Sequence, residues 1–342
     1  MRPRLHLLAA AVFWAALAGL FVYRLQGRSL DDFFITYRYS QNLAEGNGFV
    51  FNPGERVFGT TAPGMGLLLG AGQWVTGVPV HWLGTLSTAI ALLAMALLLL
   101  SEAGERGRAP EAWLGGSLLV ASTFLWACHG AEGMVVLALL LLGARWGTDR
   151  PLTAGLAAGF AVWCRPDAVV GAGLLGLLLW WEGRRFPRRY ALAAAAVIAL
   201  GAAAALAYFG QLVPNTWSAK QAHVSGLDAA LERAGKAFWP ASLPLLHRHL
   251  GRTLWPLLVL GLAGQLVLLR QAGRPGRLLV LYAAAMFVAY PALGVGFAPW
   301  YAIPVLAALL FGIPFAAGAA GRAVASWGKG RWPARLGGSL AA

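Results

Sequence analysis

Charge of one sign is what this chain has least of. Only 13 Asp and Glu stand against 27 Lys and Arg in 342 residues, and the four charged types together make up 12%. Soluble globular domains carry about a quarter of their residues as charges, so that class is excluded. Cysteine is almost absent. Cys128 and Cys164 rule out a disulfide framework and a CxxC metal site. Both fall near the expected outer ends of helices, where a single bridge competes with burial as small apolar side chains. No P-loop, no GxGxxG on a strand–helix unit, no HExxH and no nucleophile elbow is present, so function has to be sought outside those chemistries.

What is there is apolar: 59% of the chain is hydrophobic, with 44 Gly and 15 Trp. The run Leu5–Tyr23 is about 19 residues, enough to cross roughly 30 Å of hydrocarbon as a helix. Arg2 and Arg4 before it fit a signal peptide equally well in charge. The run is longer than an ordinary signal core, no small-x-small cleavage site follows, and further spans come after, so we read it as the first span. The expected fold class is an all-α polytopic membrane protein with about ten transmembrane helices plus interfacial helices on the outer face. The remaining spans are His81–Leu100, Ala112–Ala127, Gly133–Trp146, Leu152–Trp163, Ala168–Trp181, Tyr190–Phe209, Leu254–Leu269, Leu278–Leu293 and Tyr301–Gly318. The abundant Gly and Ala fit close helix packing in a membrane.

The net charge of +14 invites a nucleic-acid reading, but its distribution argues against one. Arg and Lys come in short bursts between apolar runs, as in loops retained on the cytoplasmic side. The apolar stretch Ala62–Val78 decides the topology. If it does not cross, the bursts at 106–108, 145–150, 184–189 and 270–277 share the cytoplasmic side with both termini. If it crosses, the bursts at 184–189 and 270–277 flip outward, against the positive-inside rule. We therefore expect a helix lying in the outer interface with Trp74 and Trp82 at headgroup depth. The chain then reads as one unit over 1–342, with outer loops at 24–79 and 210–253 and a basic cytoplasmic tail at 319–342. The expected setting is a membrane with the cytoplasm on its Arg-rich side.

That topology gathers most of the scarce acids outside, among them Asp31, Asp32, Glu132 and Asp167. Ser29 with Asp32 three residues on reads as a capping box opening a helix that Gly46 ends. Ile35, Tyr39 and Leu43 form one apolar stripe on it, and Phe33 and Tyr37 another. Gly48–Phe51, Asn52-Pro-Gly54 and Glu55–Phe58 read as a small hairpin. Asp31 and Asp32 are either helix-capping charges or something more. Repulsion and partial desolvation raise one pKa of such a pair, giving a base for a hydroxyl proton, and two carboxylates can share a divalent cation.

Asp31-Asp-Phe-Phe-Ile-Thr-Tyr-Arg-Tyr-Ser-Gln-Asn-Leu43, Gly46-Asn-Gly-Phe-Val-Phe-Asn-Pro-Gly-Glu-Arg-Val57 and Gly59-Thr-Thr-Ala-Pro63 resemble polytopic glycosyltransferases of the GT-C fold. The likeness is nearest to the branch with arabinofuranosyltransferases and mannosyltransferase-like enzymes of bacterial envelopes. Gly130-Ala-Glu132, Arg165-Pro-Asp167, Leu212-Val-Pro-Asn-Thr-Trp-Ser-Ala-Lys220 and Trp300-Tyr-Ala-Ile-Pro304 continue it in order. The chain departs from the pattern at Gly64-Met-Gly66, at Gly133 after the acid, and in ending soon after its last span. These departures bear on the acceptor more than on the donor.

The resemblance implies a donor sugar on a polyprenyl phosphate presented in the outer leaflet, with arabinofuranose among the candidates. The acceptor would be a glycan, a glycolipid or a protein; membrane lipid is the other partner and nucleic acid is not one. An acid of the first outer loop acts as catalytic base in that family, which implies Asp31 or its neighbour Asp32. Glu132 would hold the acceptor or a metal. A divalent cation, Mg or Mn, on Asp31, Asp32 and Glu132 is the one cofactor candidate. Lys220, Arg165, His223 and Arg248 are the cations for the donor phosphate, with interface anchoring as the plainer role for each. His247 and His249 have the wrong spacing to share one helical face as metal ligands. Two other functions compete: a lipid-linked sugar flippase or transporter, which would want ionisable groups at mid-membrane, and a non-catalytic membrane scaffold.

Overall fold

Helices account for all the regular structure in the computed structural model, which describes residues 2–25, 28–216, 255–292 and 298–327. They are α1 (Arg2–Leu25), α2 (Phe33–Ala44), α3 (Pro63–Thr76), α4 (Val80–Glu105), α5 (Ala109–Val120), α6 (Thr123–Ala127) and α7 (Glu132–Trp146). There follow α8 (Pro151–Cys164), α9 (Ala168–Gly183), α10 (Arg188–Phe209), α11 (Trp255–Gln271), α12 (Arg274–Ala292), a 3₁₀ turn (Pro299–Ala302) and α13 (Ile303–Trp327). No strand occurs among the described residues. Among the described residues five helical segments are long and apolar enough to cross a membrane: Leu5–Leu25, Val80–Glu105, Arg188–Phe209, Arg274–Ala292 and Pro299–Ser326. The chain is an all-α, multi-pass membrane protein.

α1 shows how the apolar surplus divides. Ala10, Trp14 and Ala18 are buried on one stripe, while Leu5, Leu8, Val12 and Tyr23 are more than 60% exposed. Exposed apolar side chains on a spanning helix face hydrocarbon rather than water, and the helix satisfies its own backbone there. The Trp14 indole packs where Gly116 of α5 leaves room and donates to the Ser117 hydroxyl at 3.0 Å. The expected span Ala112–Ala127 is not one helix. It breaks after Val120, and α6 restarts with the Ser122 side chain accepting from the Leu125 amide, because a serine that caps a new helix competes with continuing the old one.

The ends of the helices separate by charge. Arg274 reaches Glu182 at 2.7 Å and Thr148 at 2.8 Å, Arg145 reaches Glu105 at 2.7 Å, and Arg322 reaches Glu111 at 2.7 Å. Glu102 pairs with Arg106 and accepts the Gly273 amide at 2.5 Å. The segments carrying the basic bursts thus meet at one end of the bundle. At the other end lie α2, the start of α7, the link between α8 and α9, and the 3₁₀ turn before α13.

The first long loop is organised by α2, though not as expected. Helix α2 starts at Phe33 and its N-cap Asp32 makes no side-chain cap bond. The capping box does not form, because the Ser29 hydroxyl is used on the Tyr37 hydroxyl at 3.2 Å. The expected hairpin also fails to pair strands. Asn42 donates to the Val50 and Phe51 carbonyls (both 2.8 Å) and Tyr39 to the Val57 carbonyl (2.6 Å), so α2 side chains satisfy the backbone a ladder would have used. Of the two stripes, Phe33, Tyr37 and Tyr39 are buried in protein and Ile35 is exposed. α3 ends at Gly77 in the left-handed conformation and packs on α2, with Gly70 against the Ser40 carbonyl.

Small residues set the helix spacing. At the crossing of α11 and α13, Gly264 backs onto Gly312 so closely that a Cβ would collide with backbone. Gly173 on α9 has open space around it. Gly264→Leu should therefore lower thermal stability in mild detergent by at least about 1–3 kcal/mol, while Gly173→Leu should leave the melting temperature unchanged.

Candidate active site

Arg165-Pro-Asp167 forms the floor of the second end. A residue before proline is pushed out of the α region, and Arg165 is extended (φ −156°, ψ 126°), which ends α8. Asp167 then becomes the N-cap of α9. This two-residue corner lets the guanidinium grip the carboxylate: Arg165 Nη2 lies 2.7 Å from Asp167 Oδ2, and Nε lies 3.1 Å from Oδ1. Arg165 Nη1 also stands 3.7 Å from Glu132 Oε2. All three side chains are largely removed from solvent. Such a cluster persists only when every member is partnered.

The surrounding helices provide those partners. The Tyr290 hydroxyl, near the end of α12, donates to Asp167 Oδ2 at 2.7 Å. The Arg165 guanidinium lies 5.3 Å over the Tyr301 ring, and Tyr290 and Tyr301 pack at 4.6 Å. Glu132 opens α7, where the helix dipole favours a carboxylate. The Thr36 hydroxyl of α2 hydrogen-bonds to it and also meets the Thr60 hydroxyl at 3.2 Å. Tyr37 fills the space that Gly84 and Gly130 leave open; a Cβ on either would collide with its hydroxyl. Gly130 has φ +87°, a conformation that favours glycine in its own right, and its amide donates to Thr88 at 2.9 Å.

Electrostatics follow from these contacts. Burial raises the Asp167 carboxyl, but the Arg165 charge and the hydrogen bonds from Arg165 and Tyr290 outweigh it and hold it below the usual carboxylate value. Burial pushes the Tyr37 hydroxyl up to about 12; the Ser29 hydrogen bond opposes the rise and Glu132 adds to it. Tyr37 therefore stays a neutral hydroxyl.

Asp31 and Asp32 sit outside this floor. Both are exposed, and the Asp32 amide donates to Asp31 Oδ1 at 2.9 Å. The desolvation expected of the pair is not supplied by the described residues. The next residue, Phe33, packs edge-on to Trp300 at 5.3 Å, and Trp300 adjoins the Tyr301 that holds Arg165. Three aromatic rings, Phe33, Trp300 and Tyr301, thus stand between the two acids and Arg165. Arg165 itself is already engaged by Asp167 and Glu132. Lys220, His223 and Arg248, with His247 and His249, lie outside the described residues. Cys128 and Cys164 are free and buried. Among the described residues no group of three or more His, Cys, Asp or Glu is placed to hold a metal ion.

Sequence reasoning gave Tyr290 no place at this end, placed Thr36, Tyr37 and Tyr301 here within the quoted motifs without a role, and gave Asp167 no role of its own. The Arg-Pro-Asp spacing was the available signal for Asp167. The aromatic partners come from far along the chain and carry no local pattern.

No protein-family model matches the chain, and no solved structure matches it. The chain is similar to the terminal beta-(1->2)-arabinofuranosyltransferase of Mycobacterium tuberculosis (strain ATCC 25618 / H37Rv), with 32% identity over 219 residues. The match covers 56% of this chain and 35% of that protein, so the chain spans about a third of the relative's length.

Removing one member of a buried ion pair leaves the other unpartnered, at about 3–5 kcal/mol. Arg165→Met and Asp167→Leu should each lower the unfolding midpoint strongly, and the double variant should recover part of the loss. The pH dependence has a definite sign. With its folded pKa lowered, Asp167 contributes stability above its unfolded pKa of about 3.9, and that stability is lost as pH falls through the lower folded value. Asp167→Asn should melt at a lower temperature than wild type near neutral pH and lose less on acidification, checked by thermal unfolding across pH.

Proposed function

We propose that this protein is a glycosyltransferase of the GT-C type that transfers a sugar from a polyprenyl-phosphate donor to a hydroxyl of an envelope glycan, glycolipid or protein. The observation that carries the reading is the buried Glu132–Arg165–Asp167 cluster bordered by the exposed Asp31/Asp32 pair at one end of an all-helical membrane bundle. The similarity to an arabinofuranosyltransferase supports it and makes arabinofuranose the first sugar to try. In this reading the chain crosses a bacterial inner membrane about ten times. The Arg-rich end and both termini face the cytoplasm, as the positive-inside rule requires, and the acidic end faces outward.

In the reaction one carboxylate of Asp31/Asp32 takes the proton of the acceptor hydroxyl as its oxygen attacks the anomeric carbon. The bond from that carbon to the phosphate oxygen breaks, and the polyprenyl phosphate leaves with the electron pair. A single displacement of this kind inverts the anomeric centre. Solvent exposure of the pair suits a base that meets its substrate at the interface. Glu132 orients the acceptor by hydrogen bonding, and Arg165, 3.7 Å away, holds it in place. Cations of the second outer loop, Lys220, His223 and Arg248, offset charge growing on the phosphate.

Purified protein in nanodiscs, given a panel of polyprenyl-phosphate sugars and acceptors, should turn over at least one pair. Asp31→Asn or Asp32→Asn should lower kcat by about 10²–10⁴-fold with lipid-donor binding intact, and Glu132→Gln should raise the acceptor KM. Turnover indifferent to both Asp substitutions, or none with any donor, would leave transport or scaffolding as the function.

A further inference from the structure

One cleft of the described structure lies away from the acidic end. A hollow of about 730 Å³ opens at the Arg-rich end, between the α7–α8 turn, the end of α9 and the starts of α10 and α12. Arg185, Arg188, Arg189 and Arg274 line it, and Glu182 is the one acid in its wall. That acid is already engaged, at 2.6 Å by Arg274 and at 3.4 Å by Arg277. Arg274 is further spent on the Ala144 carbonyl and the Thr148 hydroxyl. Arg185, Arg188 and Arg189 form no ion pair among the described residues and are exposed. A neighbouring cleft of about 520 Å³ makes the contrast: its arginines are matched by Glu102, Glu105, Asp149 and Glu182. The surplus of positive charge is confined to the first.

Depth and wall chemistry narrow the ligand. Trp180 and Trp181, 50% and 74% exposed, project from the same end of α9, and Arg184 lies 5.7 Å over the Trp181 ring. Exposed tryptophans beside arginines on a membrane protein mark the headgroup level. Phe186, 61% exposed, gives the cleft an apolar wall next to its cations. The helix dipoles of α8 and α10, which both begin at this cleft, add to the attraction for an anion. We propose that the cleft holds the phosphate headgroup of an anionic phospholipid from the leaflet facing this end, with the free guanidinium groups of Arg185, Arg188 and Arg189 on the phosphate and an acyl chain along Phe186. Basic pockets between membrane helices bind such headgroups. The site is separate from the proposed sugar-transfer end and does not depend on that activity.

The test is native mass spectrometry of the full chain in mild detergent, titrated with phosphatidylglycerol, cardiolipin or phosphatidylcholine. Anionic lipid should remain bound at collision energies that strip phosphatidylcholine. The combined variant Arg185→Gln/Arg188→Gln/Arg189→Gln should weaken anionic-lipid retention at least tenfold, while Arg322→Gln, at the same end but outside the cleft, should not. Equal retention of phosphatidylcholine, or full retention by the triple variant, overturns the proposal. Inorganic phosphate displacing the lipid at millimolar concentration would assign the cleft to a soluble phosphate and overturn it too. A melting curve for the triple variant shows whether it is folded. Should it not be, Phe186→Asn replaces it, with loss of lipid retention expected and full retention contradicting the proposal.

Discussion

A guanidinium withdrawn from water costs several kcal/mol unless its charge and its N–H groups are matched. Arg165 meets that demand through Asp167 at 2.7 Å, Glu132 at 3.7 Å and the face of Tyr301. The match fixes more than one side chain. It ties the corner between α8 and α9 to the first residue of α7, to α12 through Tyr290, and to the 3₁₀ turn before α13. Helices that slide easily in lipid are registered at this end by charge, because an apolar environment between them offers little directional force.

The rest of the architecture at this end rests on that cluster. Thr36 and Tyr37 bring α2 against Glu132 and Gly130, so the loop carrying Asp31 and Asp32 is held by its own helix. Phe58 stacks on Phe209 at 4.6 Å, and the Asn215 amide donates to the Phe58 carbonyl at 2.8 Å. The first loop is therefore pinned at both sides, to α4 and α7 by Tyr37 and to the end of α10 by Phe58. A floor of satisfied charges beneath a pair of solvated acids separates two demands. The buried groups hold one another in position, and the exposed pair stays open to solvent.

Much of this was legible in sequence because it is local. Apolar runs located the helices, and the Arg bursts between them foretold that those segments would share one end, where Arg274, Arg145 and Arg322 do meet acids from other bursts. The corner at Arg165-Pro-Asp167 follows from proline sterics. What was illegible depends on distant partners. Ser29 looked like a cap until Tyr37 claimed it, and the Asn-Pro-Gly turn looked like a hairpin until Asn42 and Tyr39 took the carbonyls. The stripe through Ala112–Ala127 hid its break because Ser122 interrupts no hydrophobic period. Tyr290 and Tyr301 lie more than 120 residues from Asp167 and could be joined to it only by the fold.

The central proposal is spatial: the sugar is handled between the exposed Asp31/Asp32 pair and the buried Glu132–Arg165–Asp167 cluster. An electron cryo-microscopy map of the full chain in nanodiscs, with a non-transferable polyprenyl-phosphonate sugar bound, tests it most directly. The account predicts sugar density between the Asp31/Asp32 pair and Glu132, with the phosphonate on the outer-loop cations. Density for the ligand at the Arg-rich end instead, with the acidic end empty, would contradict it.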